Sequence, residues 1–438
     1  MFKQILVFLD ALFICWKALG VRKLTNVPVK VFGERTTVEC FVWFAGFTLL
    51  TAPMFLYSAS ELKYICWIFI VSYLLFTKKY KFHGSVDEIL LLIFIGIILL
   101  GIFIGGYWVR GSMMCMKYII LILFLIIGSN VNITYRNICF IFEYGMYGVI
   151  LALIFASGML QVTIPSVYWF TSGFFFGGAG ISDCFSIFAP IALGMVKLTN
   201  NKKYYLIWSI CILSDICFVV RTGIGGICVS SAVYWALQRE TKKIFLLCLV
   251  VVTLALSFIY IPSIRDKMYS HEIQNRIESE GLGLYLLDRD NMMDSGRHSL
   301  IENLRAFLPH KGNNFWGYGS GATNTSLRYL NRLMGTAVIA HNDYKVIEID
   351  NGIFGLVSWF IVLSVIIITH LRMYFSSMNI ILTRELNAIA ISSLAGAMFA
   401  MAFDNVLAHS MSSIGVSFLL LGLSYASFQN DIKQKLFI

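Results

Sequence analysis

Charged side chains are scarce in this chain. Asp, Glu, Lys and Arg make up 13% of its 438 residues, about half the share found in soluble domains. That scarcity excludes an ordinary soluble enzyme, and a 58% apolar composition points to a bilayer. A disulfide framework is also missing. Most of the ten cysteines, such as Cys66, Cys139, Cys211, Cys217 and Cys248, fall inside apolar runs, where a thiol is a small hydrophobe. None lies between Pro262 and His341, so no disulfide staples that polar segment. Signatures of soluble chemistry are missing too: there is no GxxxxGK(S/T), GxSxG, HExxH or CxxC. The small-residue run Gly173 to Gly180 lacks a preceding strand and reads as a close-packed loop at a helix end.

What the chain does have is apolar length. A helical span needs about 20 mostly apolar residues. Runs of that kind occur near 38–58, 62–77, 87–106, 113–128, 137–160, 181–198, 203–220, 222–238, 243–262, 351–371, 385–404 and 409–428. The expected fold is therefore all-α and polytopic, with about twelve transmembrane helices, because helices satisfy their own backbone in lipid. Basic residues alternate from loop to loop. Arg22, Lys23, Lys30 and Arg35, then Lys78, Lys79 and Lys81, then Lys202 and Lys203, then Arg239, Lys242 and Lys243 fall on one side. The intervening loops at 58–62, 161–180 and 404–409 hold no Lys or Arg. Positive charge marks the cytoplasmic side, so the net charge of +10 reports orientation rather than nucleic-acid binding. Both termini are then expected inside and 263–350 outside. The organisation reads as an N-terminal interfacial helix and cytoplasmic segment (1–37), nine spans (38–262), a periplasmic loop domain (263–350), and three spans with a cytoplasmic tail (351–438). Asp10 and Lys17 interrupt the apolar run over 1–20, which favours a helix lying on the membrane rather than a thirteenth span or a signal peptide.

The 263–350 segment is far longer than a usual interhelical loop, and such loops tend to be functional. Apolar spacing predicts helix over 265–280 and 295–308, with a turn-rich middle at Gly312, Gly317, Gly319 and Gly321. Its end carries His341-Asn342, followed by Gly352 and Gly355. A histidine can take a proton from a sugar hydroxyl near neutral pH. Asn342 can hold that ring or a hydroxyl, and the glycines allow close backbone approach. The plain alternative is a polar cap before a helix whose glycines pack on a neighbour. Cations add to the picture. Arg221 stands between two spans in FVVRTGIGG, Arg297 in DSGRHSLIENLRAF with Arg305 two turns on, and Arg110 precedes the span carrying Lys117. Cations at such depth face a cavity or a partner, and guanidinium forks match pyrophosphate oxygens. Ordinary pairing with Asp183, Asp215 or Asp404 is the bland reading of each.

These features together resemble the O-antigen polymerase and O-antigen ligase superfamily. The resemblance rests on His341-Asn342…Gly352…Gly355 after a long outer loop, on FVVRTGIGG, and on SGR (Ser295 to Arg297) followed by FWGYGSG. It covers topology along most of the chain but motifs only from about 215 to 356. It implies an inverting, metal-independent glycosyltransferase of the inner membrane, without cofactor. His341 would be the catalytic base; Arg221 and Arg297 would hold the pyrophosphate, with Arg110, Arg305, Lys117 and Asn342 as further binding residues. Many members carry Ser before the arginine where this chain has Val220, which makes Arg221 a less direct match. The implied partners are an undecaprenyl-pyrophosphate-linked oligosaccharide, membrane lipids and a chain-length regulator protein, with no nucleic acid. The motifs do not separate polymerase from ligase; a loop without a strongly cationic face favours the polymerase. The competing classes are a secondary transporter or flippase, expected to show pseudo-symmetric halves and broken helices, and a structural or sensory membrane protein.

Overall fold

A computed structural model describes residues 82–130, most of 134–146, 178–218, 221–260, 308, 312–334, 342–376, 380–404, 406–407 and 414–436, together with the backbone of 28–31 and 34–37. The first two expected spans, most of 137–160, residues 1–20, the helical stretch 265–280 and all but Leu308 of the stretch 295–308 lie outside the described residues.

The chain is almost wholly helical where it is described, with one exception to the all-α expectation. Within the first 37 residues, β1 (Pro28–Val31) pairs antiparallel with β2 (Glu34–Thr37), Pro28 opposite Thr37 and Val31 opposite Glu34. The β-branched Val29, Val31, Thr36 and Thr37 suit this pleated pairing.

Helix α1 (Val86–Gly105) starts on a capping box: Glu88 N donates to Ser85 Oγ at 3.3 Å, and Ser85 N donates back to Glu88 Oε2 at 3.1 Å. It ends at Gly106, whose left-handed backbone turns the chain within two residues into α2 (Trp108–Ser129). Then follow α3 (Gly178–Thr199), α4 (Lys203–Phe218), α5 (Arg221–Leu237) and α6 (Thr241–Tyr260). After the long polar segment come α7 (Ala322–Met334), α8 (Asp343–Ser376), α9 (Ile381–Met401) and α10 (Ile414–Leu436). Helices α1, α2 and α8 are long and apolar enough to cross a membrane, which associates the chain with a bilayer.

Lipid tails are as apolar as leucine, so helices here pack through small residues that let backbones meet. At the α2–α10 crossing, Gly128 and Gly422 face each other; a Cβ on Gly128 would lie 2.8 Å from Gly422 Cα. A second contact joins three helices at Gly226 on α5, Gly396 on α9 and Ser186 on α3, where a Cβ on Gly396 would lie 3.0 Å from Gly226 O. Gly96, by contrast, faces open space. Replacing Gly422 by Val should therefore cost about 1–3 kcal/mol or more through overpacking, while Gly96→Ala should be neutral or stabilising by up to about 1 kcal/mol. Thermal unfolding in detergent, with both variants beside the wild type, checks the contrast.

Long-range ties sort the bundle into two ends. At one end, Tyr374 Oη donates to Leu237 O at 2.6 Å, Gln238 Nε2 lies 3.0 Å from both Glu385 oxygens, and Lys203 pairs with Glu143. Glu240, in the α5–α6 turn, bonds Lys243 at 2.7 Å and Lys197 at 2.9 Å, and these two ammonium groups hold its carboxyl below the usual range. At the other end meet the α1–α2 turn, residues 312–321, the start of α8 and the α9–α10 turn. Among the described residues, the first end holds the basic loops at 202–203 and 239–243, and the second holds Asp404, Val406 and Leu407.

Candidate functional site

The second end is built around a break in α8. Gly352 has φ +68° and ψ −174°, a conformation only glycine adopts readily, and it divides the helix after Asn351. A break frees backbone groups on both sides, which is tolerated at membrane depth only where protein satisfies them. The 312–321 segment does so. Asn314 O and Phe315 O accept from Ile353 N at 2.9 Å and Phe354 N at 3.2 Å. On the other side, Tyr318 N donates to Ile349 O at 2.9 Å and Gly319 N to Asp350 O at 2.8 Å. FWGYGSG and Gly352 are thus two halves of one joint, which assigns these sequence signals a structural task. Gly319 also lies backbone to backbone with Gly105, and Ser320 Oγ bridges Ile98 O at 2.8 Å and Asn351 Oδ1 at 2.6 Å.

Asp350 completes the joint. Its carboxylate accepts from Gly321 N and Thr323 N, each at 2.8 Å, and from Thr323 Oγ1 at 2.7 Å. These are free donors at the start of α7, where an anion is favoured. The anion that this glycine-rich turn cradles is therefore a side chain of the protein itself, and the turn is not a vacant phosphate site.

Asn342 caps α8, its Oδ1 accepting from Lys345 N at 3.0 Å. The capping alternative thus describes one of the two bonds its oxygen can accept. Asp343 is buried and accepts from Leu407 N at 2.7 Å, while Tyr344 Oη donates to Met398 O at 2.8 Å. These bonds bring the α9–α10 turn against the residues that follow His341. Expected polar spacing alone did not single out Asp343 and Asp350, although they stand seven residues apart on one helix face.

The predicted cations divide. Lys117 lies in the field of both Asp343 and Asp350, with no hydrogen bond or ion pair among the described residues. Arg110 sits half-buried in the first turn of α2, with its Cβ beside Gly321. Its guanidinium meets Met113 Sδ at 3.5 Å and no carboxylate among the described residues. Arg221 is the first residue of α5 and is described by its backbone alone. His341, Arg297 and Arg305 lie outside the described residues. Helix α7 follows directly on the glycine turn, in a stretch to which the spacing assigns no element; its buried Ala322, Thr323, Ser326 and Leu327 form the face toward the bundle.

No protein-family model matches the chain, and it matches no curated protein.

Proposed function

We propose that the chain is a twelve-span inner-membrane glycosyltransferase, a polymerase that moves a growing glycan from undecaprenyl pyrophosphate to a lipid-linked repeat unit on the periplasmic side. The observation that carries the reading is Arg110: an accessible guanidinium in the first turn of α2 that meets no carboxylate among the described residues, beside Gly321 of the glycine-rich turn. A guanidinium without a protein counter-charge can take a pyrophosphate in a bidentate form. Arg221 and Arg297 would share it, stabilising the leaving group as the anomeric bond breaks. His341 would deprotonate the acceptor hydroxyl on the opposite face of the sugar, which inverts the anomeric centre. Lys117 mainly compensates Asp343 and Asp350 in this scheme. The break at Gly352 does not argue for a transporter, since its backbone groups are taken by residues 314–319.

Purified full-length protein, mixed with a defined lipid-pyrophosphate oligosaccharide, should yield longer oligomers and free carrier pyrophosphate by mass spectrometry. Transfer to lipid A core instead would make it a ligase, and no transfer to either acceptor would sink the reading. Arg110→Ala should weaken donor retention by about 1.5–3 kcal/mol, the worth of a charged hydrogen bond, and Arg110→Lys should restore it only in part. Equal retention by both variants removes Arg110 from the site. Sidedness has its own check: an impermeant thiol reagent on intact cells should label a cysteine at Ser270 and spare one at Lys79.

A further inference from the structure

The opposite end of the bundle holds a fully buried histidine that the scheme above does not use. His370, near the end of α8, is 0% exposed. Its Nε2 lies 3.1 Å from Asp87 Oδ2 on α1. Its Nδ1 lies 3.0 Å from Asn387 Oδ1 on α9 and 2.9 Å from Ser424 Oγ on α10. The hydrogens of these partners are already committed. Asn387 Nδ2 donates to Thr383 O at 2.8 Å, which leaves its oxygen toward the ring. The Ser424 hydroxyl lies 2.8 Å from Leu421 O, a carbonyl that can take its hydrogen and turn its lone pair toward Nδ1. A carboxylate accepts by nature. Nε2 therefore faces a carboxylate and Nδ1 an amide oxygen, and both contacts are made only when both nitrogens carry hydrogen.

We propose that His370 is a buried imidazolium that locks α1, α8, α9 and α10 together at this end. The other titratable groups brought here by neighbouring helices are Glu88, Arg384, Glu385, Tyr425 and Asp431. Glu88 Oε2 is taken by Ser85 N and His83 N, Glu385 by Tyr234 and Gln238, and Asp431 by Thr383. Oxygens of Asp87 and Glu88 that have no partner, Oδ1 and Oε1, stand in the same buried region, so a positive ring also offsets carboxylate charge there. The same two helices, α1 and α8, are tied at their far ends by Ser320 between Ile98 and Asn351. The lock thus makes His370 a positioning residue for the helix whose start carries Asn342.

Nitrogen-15 NMR of full-length protein labelled at its seven histidines, in nanodiscs, reads the ring directly. At neutral pH the signals lost in His370→Gln should report two protonated nitrogens, and Asp87→Asn should convert them to one protonated and one bare. A bare nitrogen in the wild type, or a spectrum indifferent to Asp87, overturns the proposal. If His370→Gln does not fold, the Asp87→Asn spectrum carries the same decision.

Discussion

Replacing His341 by glutamine should abolish detectable glycan transfer while leaving the protein inserted, folded and able to retain its donor. A general base contributes about 10²–10⁴-fold to rate. Glutamine keeps similar bulk and one hydrogen bond but has no basicity, so it should be as inactive as alanine. The measurement is turnover and donor retention for both variants in nanodiscs, with the melting temperature recorded beside them. Full turnover by His341→Gln would leave this residue a positioning role only. Unfolding of both variants would make it part of the packing around the start of α8.

Asp350→Ala should give the opposite pattern: stability falls first, and activity follows it. The substitution strands Gly321 N, Thr323 N and the Thr323 hydroxyl in a buried place. Each stranded donor costs about 1–3 kcal/mol, so several kcal/mol are at stake. Asp350→Asn should lose less, because one oxygen can still serve Thr323 while the amide opposes Gly321 N. Hydrogen exchange should quicken at Gly319 and Thr323 in both variants, more in the alanine one. Unchanged exchange there would mean that the joint at Gly352 holds without its carboxylate. Comparing the two residues separates chemistry from architecture: His341→Gln should keep the melting temperature that Asp350→Ala loses.

The elements most legible in the sequence were those set by local composition. The apolar runs at 87–106, 113–128 and 351–371 are helices α1, α2 and α8, because a segment in lipid must close its own hydrogen bonds. The turn at Gly317, Gly319 and Gly321 was equally readable, since all three have positive φ. The helix α7 directly after it was not, because its N-terminus depends on Asp350 rather than on a capping residue of its own. Nor could spacing show that α8 begins at Asp343, ahead of the apolar run, or that Gly352 breaks it. The hairpin over 28–37 escaped notice in a stretch assigned to a cytoplasmic segment.

The sites show the same division. The sequence by itself determined which residues are chemically capable, His341 and the arginines among them, and that a polar segment far longer than a usual interhelical loop carries several of them. Only the tertiary structure decided that FWGYGSG fills the break at Gly352, that Asn342 caps α8, and that Asp87 reaches His370 across 283 residues of chain. The physical reason is the reach of each interaction. Hydropathy and turn chemistry act within one or two helical turns, whereas a buried charge finds its partner wherever close packing of small residues brings another helix beside it.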